Sequence, residues 1–315
     1  MTDHRTPLPP TDPSATRERL ISLLGLATAE ADGRARLESI PSAPSHGAPE
    51  KVLVLAADGT DIPAFLLRPD PSAATGAAVV LVAGHGRGID DLVRTDPVDD
   101  YHDGLAHKLV RAGVTVLCPE MVGFGRRRVP RPEGAEPYEP AENSCGIDAA
   151  RHLLHGTPVM GRRVADARAA AQALRGLPGI DPDRVAVAGG SGGGAVSLLL
   201  AAVDTSIAAA LVANYFSSFT ASIAAIRHCP CNIIPGLLPE LEMADIAALV
   251  APRPLILEAG ERDPIFPIAA TRESFARLDG VWQAQGAVPP ELVVEDGGHA
   301  FRAERSLDAL REALA

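Results

Sequence analysis

The chain is poor in cysteine, almost without lysine, and carries no long uncharged apolar run. Each shortage excludes something. Cys118, Cys145, Cys229 and Cys231 are too few and too scattered in 315 residues for a disulfide framework, and their spacing is not that of a zinc site. Buried reduced thiols are the reading they favour, with a Cys229–Cys231 or Cys145–Cys229 pairing left open. Lys51 and Lys108 are the only lysines, so positive charge rests on arginine, a bias of coding before one of function. The net charge of −11 argues against a nucleic acid or an anionic membrane as partner. No apolar run reaches the ~20 residues of a membrane span, and the N-terminus, MTDHRTPLPPTDPSATRERL, lacks the apolar core of a secretory signal. The expectation is a cytoplasmic protein.

What is present is the composition of a globular chain, 46% hydrophobic and 22% charged, long enough for one large α/β domain or two small ones. The stretch that organises it is RVAVAGGSGGGAVSLLLAA, residues 184 to 202. A short β-branched and apolar run gives way to five glycines around Ser191, then to good helix formers, which reads as strand, sharp turn and helix. Gly189-Gly190-Ser191-Gly192-Gly193 fits G-x-S-x-G, a nucleophile elbow that raises a serine above a sheet. The N–H of Gly192, at the helix start, points where negative charge would develop. The same glycines satisfy the dinucleotide pattern G-x-G-x-x-A, but the next strand ends in Asn214-Tyr215 where an acidic residue is required. A P-loop is excluded because no Lys-Ser or Lys-Thr follows.

In chain order, residues 1–49 read as an N-terminal arm. Its first helix is capped by Ser14 and runs through Arg17, Leu20, Leu23 and Leu24, and a second spans Ala27 to Ser39. Residues 50–315 then read as one domain. Lys51–Ala56 and Ile62–Leu67 flank Asp58-Gly59 as a hairpin. Strands follow at 77–83, 114–118, 184–188, 207–213, 254–258 and 291–295. Helices fall at 101–112, at 145–174 with a break near Gly156-Thr157-Pro158, after the elbow, at 267–278 and at 303–314. Residues 123–140 and an excursion over 214–250 read as irregular. An antiparallel opening followed by alternating strand and helix predicts an α/β fold with a doubly wound, mostly parallel sheet.

A serine hydroxyl needs a base, and the base needs a group that fixes its tautomer. In such a sheet these come from loops at the carboxyl ends of later strands. His299, in Glu295-Asp-Gly-Gly-His299, is the candidate base. Asp263, in Gly260-Glu-Arg-Asp263-Pro, is the candidate orienting acid, ahead of Glu258 at the strand end, Glu261 in solvent and Asp296 too near His299 in sequence. The second oxyanion donor should come from Gly84-His85-Gly86-Arg87. The main-chain N–H of His85 is preferred there, with Arg87 as runner-up.

With those residues in place, the chain resembles the α/β-hydrolase fold over roughly 50–315. Gly84-His-Gly-Arg-Gly88, Gly123-Phe-Gly125, His228-Cys-Pro-Cys231-Asn232 and Met243-Ala-Asp to Ala251-Pro-Arg-Pro254 resemble its dienelactone-hydrolase-like and acetyl-xylan-esterase-like branch. Relatives often carry His-Gly-His-Gly where this chain has Ala83-Gly84-His85-Gly86, and true dienelactone hydrolases use cysteine where it has Ser191. The resemblance implies hydrolysis of a carboxylic ester, with carbohydrate and small-acyl esters as the classes in view, through an acyl-serine. A thioesterase, amidase or acyltransferase on the same scaffold is the alternative, and an inactive binding module is the alternative of a different class. No metal or organic cofactor is expected. His228 with the Cys229–Cys231 pair lacks a fourth ligand and reads as a structural turn. Substrate contacts are expected from Arg87, from Tyr215 in the excursion over the cleft and from Arg126, where one of Arg126, Arg127 and Arg128 would select a carboxylate. Whether the arm packs on its own chain or on a partner is open, and so is the oligomeric state.

Overall fold

The computed structural model describes residues 12–26, 35–39, 45–94, 101–102, 104–238 and 240–315. Among them, short β-branched runs form nine strands: β1 (Arg36–Glu38), β2 (Glu50–Leu55), β3 (Asp61–Leu67), β4 (Ala78–Val82), β5 (Thr115–Pro119), β6 (Val185–Gly190), β7 (Ala210–Ala213), β8 (Leu255–Gly260) and β9 (Glu291–Glu295). They make one sheet in the order β1-β2-β3-β5-β4-β6-β7-β8-β9. Pairing is antiparallel from β1 to β5 and parallel from there to β9. The doubly wound, mostly parallel α/β architecture is therefore as the sequence predicts.

Strands β4 to β8 are buried along their whole lengths, because helices cover both faces. The helices are α1 (Pro13–Leu24), α2 (Leu105–Arg111), α3 (Cys145–Leu154), α4 (Val159–Arg175), α5 (Gly192–Val203), α6 (Met243–Ala248), α7 (Ile268–Ala276) and α8 (Ser306–Ala313). Alternate residues of a strand face opposite layers. Val80 and Val82 join the layer built with α1, α4 and α5, whereas Val79 and Leu81 join the one built with α2 and α8.

Several local expectations are corrected. Asp12, not Ser14, caps α1: its Oδ1 accepts from Ser14 N at 2.9 Å and Ala15 N at 3.2 Å, with Pro13 at the first helical position. The expected helix over 27–39 ends as strand β1, drawn into the sheet edge by pairing with β2, and its residues 27–34 lie outside the described residues. The helix expected from Tyr101 begins at Leu105, because Gly104 sits at φ 60°. The one expected from Ala303 begins at Ser306, Ala303 itself lying at φ 51°. The excursion over 214–250 is not wholly irregular: Glu242 and Asp245 form a capping box that starts α6, with Glu242 N to Asp245 Oδ2 at 2.8 Å.

The arm packs on its own chain. Leu20 and Leu24 are fully buried, and Arg17 donates to Ala202 O at 2.8 Å and Leu249 O at 2.9 Å, closing the ends of α5 and α6.

Candidate active site

The parallel strands deliver their carboxyl ends to one edge, and the predicted site residues gather there. Between β6 and α5, Ser191 sits at φ 53°, ψ −119°, a conformation that costs a non-glycine residue about 1–3 kcal/mol. Neighbouring backbone holds it: Ser191 N donates to Ala213 O at 2.9 Å at the end of β7. The glycines are required by close approach. A Cβ on Gly193 would stand 2.0 Å from Val82 O, and one on Gly189 would stand 2.6 Å from the Gly193 backbone.

Asp263 follows β8 and His299 follows β9, and His299 Nδ1 lies 2.7 Å from Asp263 Oδ2. The other oxygen of Asp263 accepts from Ile265 N at 2.8 Å and Phe266 N at 3.1 Å, so the carboxylate is fixed before it meets the imidazole. Phe266 stacks on the His299 ring at 5.8 Å, and Tyr101 flanks it at 5.3 Å. With Nδ1 donating to Asp263, Nε2 carries the free lone pair. Among the described residues neither Ser191 Oγ nor His299 Nε2 has a hydrogen-bond partner, which is common before a substrate is bound. The rival acids are occupied elsewhere: Glu261 pairs with Arg272 at 2.7 Å, and Asp296 with Arg262 in solvent.

The loop after β4 passes against the elbow. A Cβ on Gly84 would meet Gly190 O at 3.0 Å and Ser191 Cβ at 3.4 Å, so a larger residue would push the loop off the elbow by a few tenths of an ångström. Among the described residues the N–H groups of His85 and Gly192 have no protein acceptor. Arg87 N, by contrast, donates to Asp91 Oδ2 at 2.7 Å and is unavailable.

The expected substrate residues fare differently. Arg126 reaches Asp90 Oδ1 at 2.9 Å and Glu120 Oε2 at 3.3 Å, and its guanidinium lies over Phe65. Arg127 is taken by Asp166 and by Glu120 O at 2.9 Å, and Arg128 by the carbonyls of Gly125, Glu139 and Glu142. All three guanidiniums are engaged by the loop's own backbone and by nearby acids, Arg127 and Arg128 in part-buried positions and Arg126 with its side chain still 37% exposed. Tyr215 is buried against Phe266 at 5.3 Å, and burial pushes its phenol up out of the titrating range. Arg87 remains exposed, 4.0 Å from Asp91.

Two supports were missed. Glu258, a losing candidate for the acid, is buried and accepts from Arg302 N at 2.8 Å, Ala303 N at 3.1 Å and Ser306 Oγ, pinning the segment just after His299. Burial raises its carboxyl, and these hydrogen bonds offset part of that rise. Asn214, at φ 47°, donates its amide to Ala300 O at 2.9 Å and so holds the other side of His299. The signal for both was a polar residue at the end of an otherwise apolar strand.

A second cluster borders the site. Ligand atoms of His85, Cys145, Cys229 and Cys231 all lie within 4.8 Å of one another. His228, read from the sequence as part of a structural turn, is not among them: its Nδ1 faces Cys229 O at 3.4 Å and Asn232 Nδ2 at 3.3 Å. The four cysteines are all free thiols, so neither open disulfide pairing is formed. Burial lowers the His85 imidazole, but contact with Cys229 and Cys231 outweighs it and raises the ring to about 9.

The model of the dienelactone hydrolase family matches residues 62–313. The Bacillus subtilis (strain 168) protein YtaP, described as a hydrolase, is 26% identical over 250 residues, covering 76% of this chain and 78% of its own. A solved Bacteroides fragilis NCTC 9343 structure, described as an acetyl xylan esterase, superposes with a TM-score of 0.76 at 17% identity, covering 95% of this chain and 86% of that one. A glucuronoyl esterase from Solibacter usitatus gives 0.61 at 14%, covering 95% and 92%. At such identities the structural likeness speaks for the fold. The family match spans both the elbow and the loop that carries His299, and on it the chain belongs to the dienelactone hydrolase family.

Proposed function

We propose that the protein is a serine esterase acting through an acyl-serine. The observation that carries the reading is the His299–Asp263 hydrogen bond of 2.7 Å, formed on the sheet edge where Ser191 stands at positive φ. Asp263 holds the imidazole with Nδ1 protonated, which leaves Nε2 to take the Ser191 proton as Oγ attacks the ester carbonyl carbon. The carbonyl π electrons move onto oxygen, and the free N–H groups of His85 and Gly192 are the donors for that oxyanion. As the tetrahedral intermediate collapses, the C–O bond to the alcohol breaks and His299 returns the proton to the leaving oxygen. Water, deprotonated by the same Nε2, then attacks the acyl-serine; as this second tetrahedral intermediate collapses the bond to Ser191 Oγ breaks, Nε2 returns the proton to Oγ, and the acid leaves.

The esters in view are small-acyl or carbohydrate esters, in line with the named activities of the structural neighbours. Internal engagement of Arg126, Arg127 and Arg128 favours neutral esters over uronate-bearing ones. The test is hydrolysis of p-nitrophenyl esters from acetate to octanoate, with acetylated xylose alongside, by wild type and Ser191→Ala. Loss of on the order of 10⁴- to 10⁶-fold in kcat on substitution is the expected result. Failure of a fluorophosphonate to label wild-type Ser191 would replace this reading with a non-catalytic binding module.

A further inference from the structure

The candidate active site uses the main chain of His85 and leaves its ring unassigned, and it uses no cysteine. Three segments far apart in sequence nonetheless bring that ring and three thiols together. His85 comes from the loop after β4, Cys145 from the first residue of α3, and Cys229 and Cys231 from the excursion after β7. His85 Nε2 and Cys231 Sγ are 3.3 Å apart, and all four ligand atoms lie within 4.8 Å of one another. With metal–sulfur and metal–nitrogen bonds of about 2.3 and 2.0 Å, a tetrahedral zinc site has ligand–ligand edges of roughly 3.5–3.8 Å, so closure needs shifts of about 1 Å or less.

We infer that His85 Nε2 and the thiolates of Cys145, Cys229 and Cys231 form a structural Cys₃His site for a tetrahedral thiophilic cation, Zn²⁺ first. The donor set is that of a closed structural site, with three soft sulfurs and an imidazole.

A second observation points the same way. Arg163 is fully buried, and among the described residues it has no carboxylate partner. Its guanidinium donates to Val122 O at 2.8 Å and to Cys145 Sγ at 3.0 Å, and it lies over the Phe124 ring at 4.8 Å. Zn²⁺ with three thiolates and a neutral imidazole carries a net charge of −1. Arg163 supplies the compensating charge at the edge of that centre. Phe124 also meets the His85 ring edge-on at 5.2 Å, so one aromatic steadies both the ligand and the counter-ion. A cation held here would tie the excursion and α3 to the loop after β4. Where His85 N serves as oxyanion donor, the ion would hold that donor against Ser191. Only this last consequence rests on the esterase reading.

The test is metal content, read without substrate. The full chain, purified without a metal-affinity step, is assayed by inductively coupled plasma mass spectrometry and, after chelation, titrated with Co²⁺. The expected result is about one zinc per chain, and a cobalt spectrum with the intense visible bands of tetrahedral coordination and thiolate charge transfer. Cys145→Ser and Cys231→Ser should lose the metal, and Cys118→Ser, which alters a buried thiol of β5 outside the cluster, should keep it. The wild-type readout stands should a variant fail to fold. A metal-free wild type whose cobalt adduct is octahedral, a disulfide among the three cysteines, or full zinc retention by folded Cys231→Ser would each overturn the inference. Loss of esterase activity with the metal content intact would count against the catalytic reading alone.

Discussion

At the scale of single residues, the site is governed by which polar atoms are already satisfied. Asp263 has both oxygens engaged, one by backbone and one by His299, so Asp263→Asn should preserve the shape and invert the donor that fixes the tautomer. A fall in kcat of about 10⁴-fold with little change in KM is expected from p-nitrophenyl acetate kinetics. Arg126 gives the opposite case. Arg126→Ala should cost about 1–3 kcal/mol in urea unfolding, because Glu120 loses its cation in a buried position. It should leave the ratio of kcat/KM for neutral and uronate esters unchanged. A selective loss of uronate turnover would restore Arg126 as a substrate residue. The candidates Ser191, His299 and Asp263 could each be chosen from the sequence, since chain order and flanking glycines point to them. The fate of the arginines could not, because the acids that occupy Arg126 and Arg127 are Asp90, Glu120 and Asp166, contributed by other segments.

At the scale of elements, the segment that carries His299 is held from below. Glu258 at the end of β8 binds Arg302, Ala303 and Ser306, and its hydrogen bonds, with Ala303 at positive φ, delay the start of α8. Glu258→Ala leaves two buried donors, Ala303 N and Ser306 Oγ, and the part-buried Arg302 N without an acceptor, and stability should fall by about 2 kcal/mol or more. kcat should fall too, as His299 loses its seat, and Glu258→Gln, which keeps acceptor oxygen there, should recover part of both. Unchanged kcat in a destabilised Glu258→Ala would confine this residue to folding. The strands and their order of alternation with helices were legible because buried parallel strands are continuous apolar runs. Element ends were less so: Gly104 and Ala303 at positive φ, the Asp12 cap and the edge pairing of β1 depend on partners or backbone angles that local pattern does not record.

At the scale of the whole molecule, the arm and the sheet form one packed body. Removing residues 1–25 would strip Leu20 and Leu24 from the core, about 1.5–3 kcal/mol each, together with the Arg17 bonds to the ends of α5 and α6. The truncated chain should show a lower urea midpoint; an equal midpoint would show that α1 is dispensable. Stability should also depend on acid through His102. Burial among Tyr101 and Phe301 depresses its pKa to about 3, below the ordinary 6.5 of the unfolded chain. The unfolded state therefore binds a proton that the folded state refuses. Stability is complete above pH 6.5 and declines as pH falls towards about 3, by up to about 1.4 kcal/mol per pH unit. His102→Phe should flatten that part of the profile in urea titrations at pH 4.5 and 7, and an identical slope would assign the acid sensitivity to other groups.

The sequence by itself determined strands β2 to β9, the turn at Ser191 and the candidate residues that stand at the strand ends. Apolar runs, glycine spacing and chain order are local properties, and the handedness of parallel connections leaves few ways to assemble them. Tertiary structure alone decided which side chains remain free. It engaged Arg126, Arg127 and Arg128 with acids and carbonyls of other segments, made Glu258 a support for the segment after His299, and brought Cys145 to Cys229, Cys231 and His85. The reason is physical: a buried charge or thiol takes the partner that folding brings within a few ångströms, and separation along the chain says nothing of that distance.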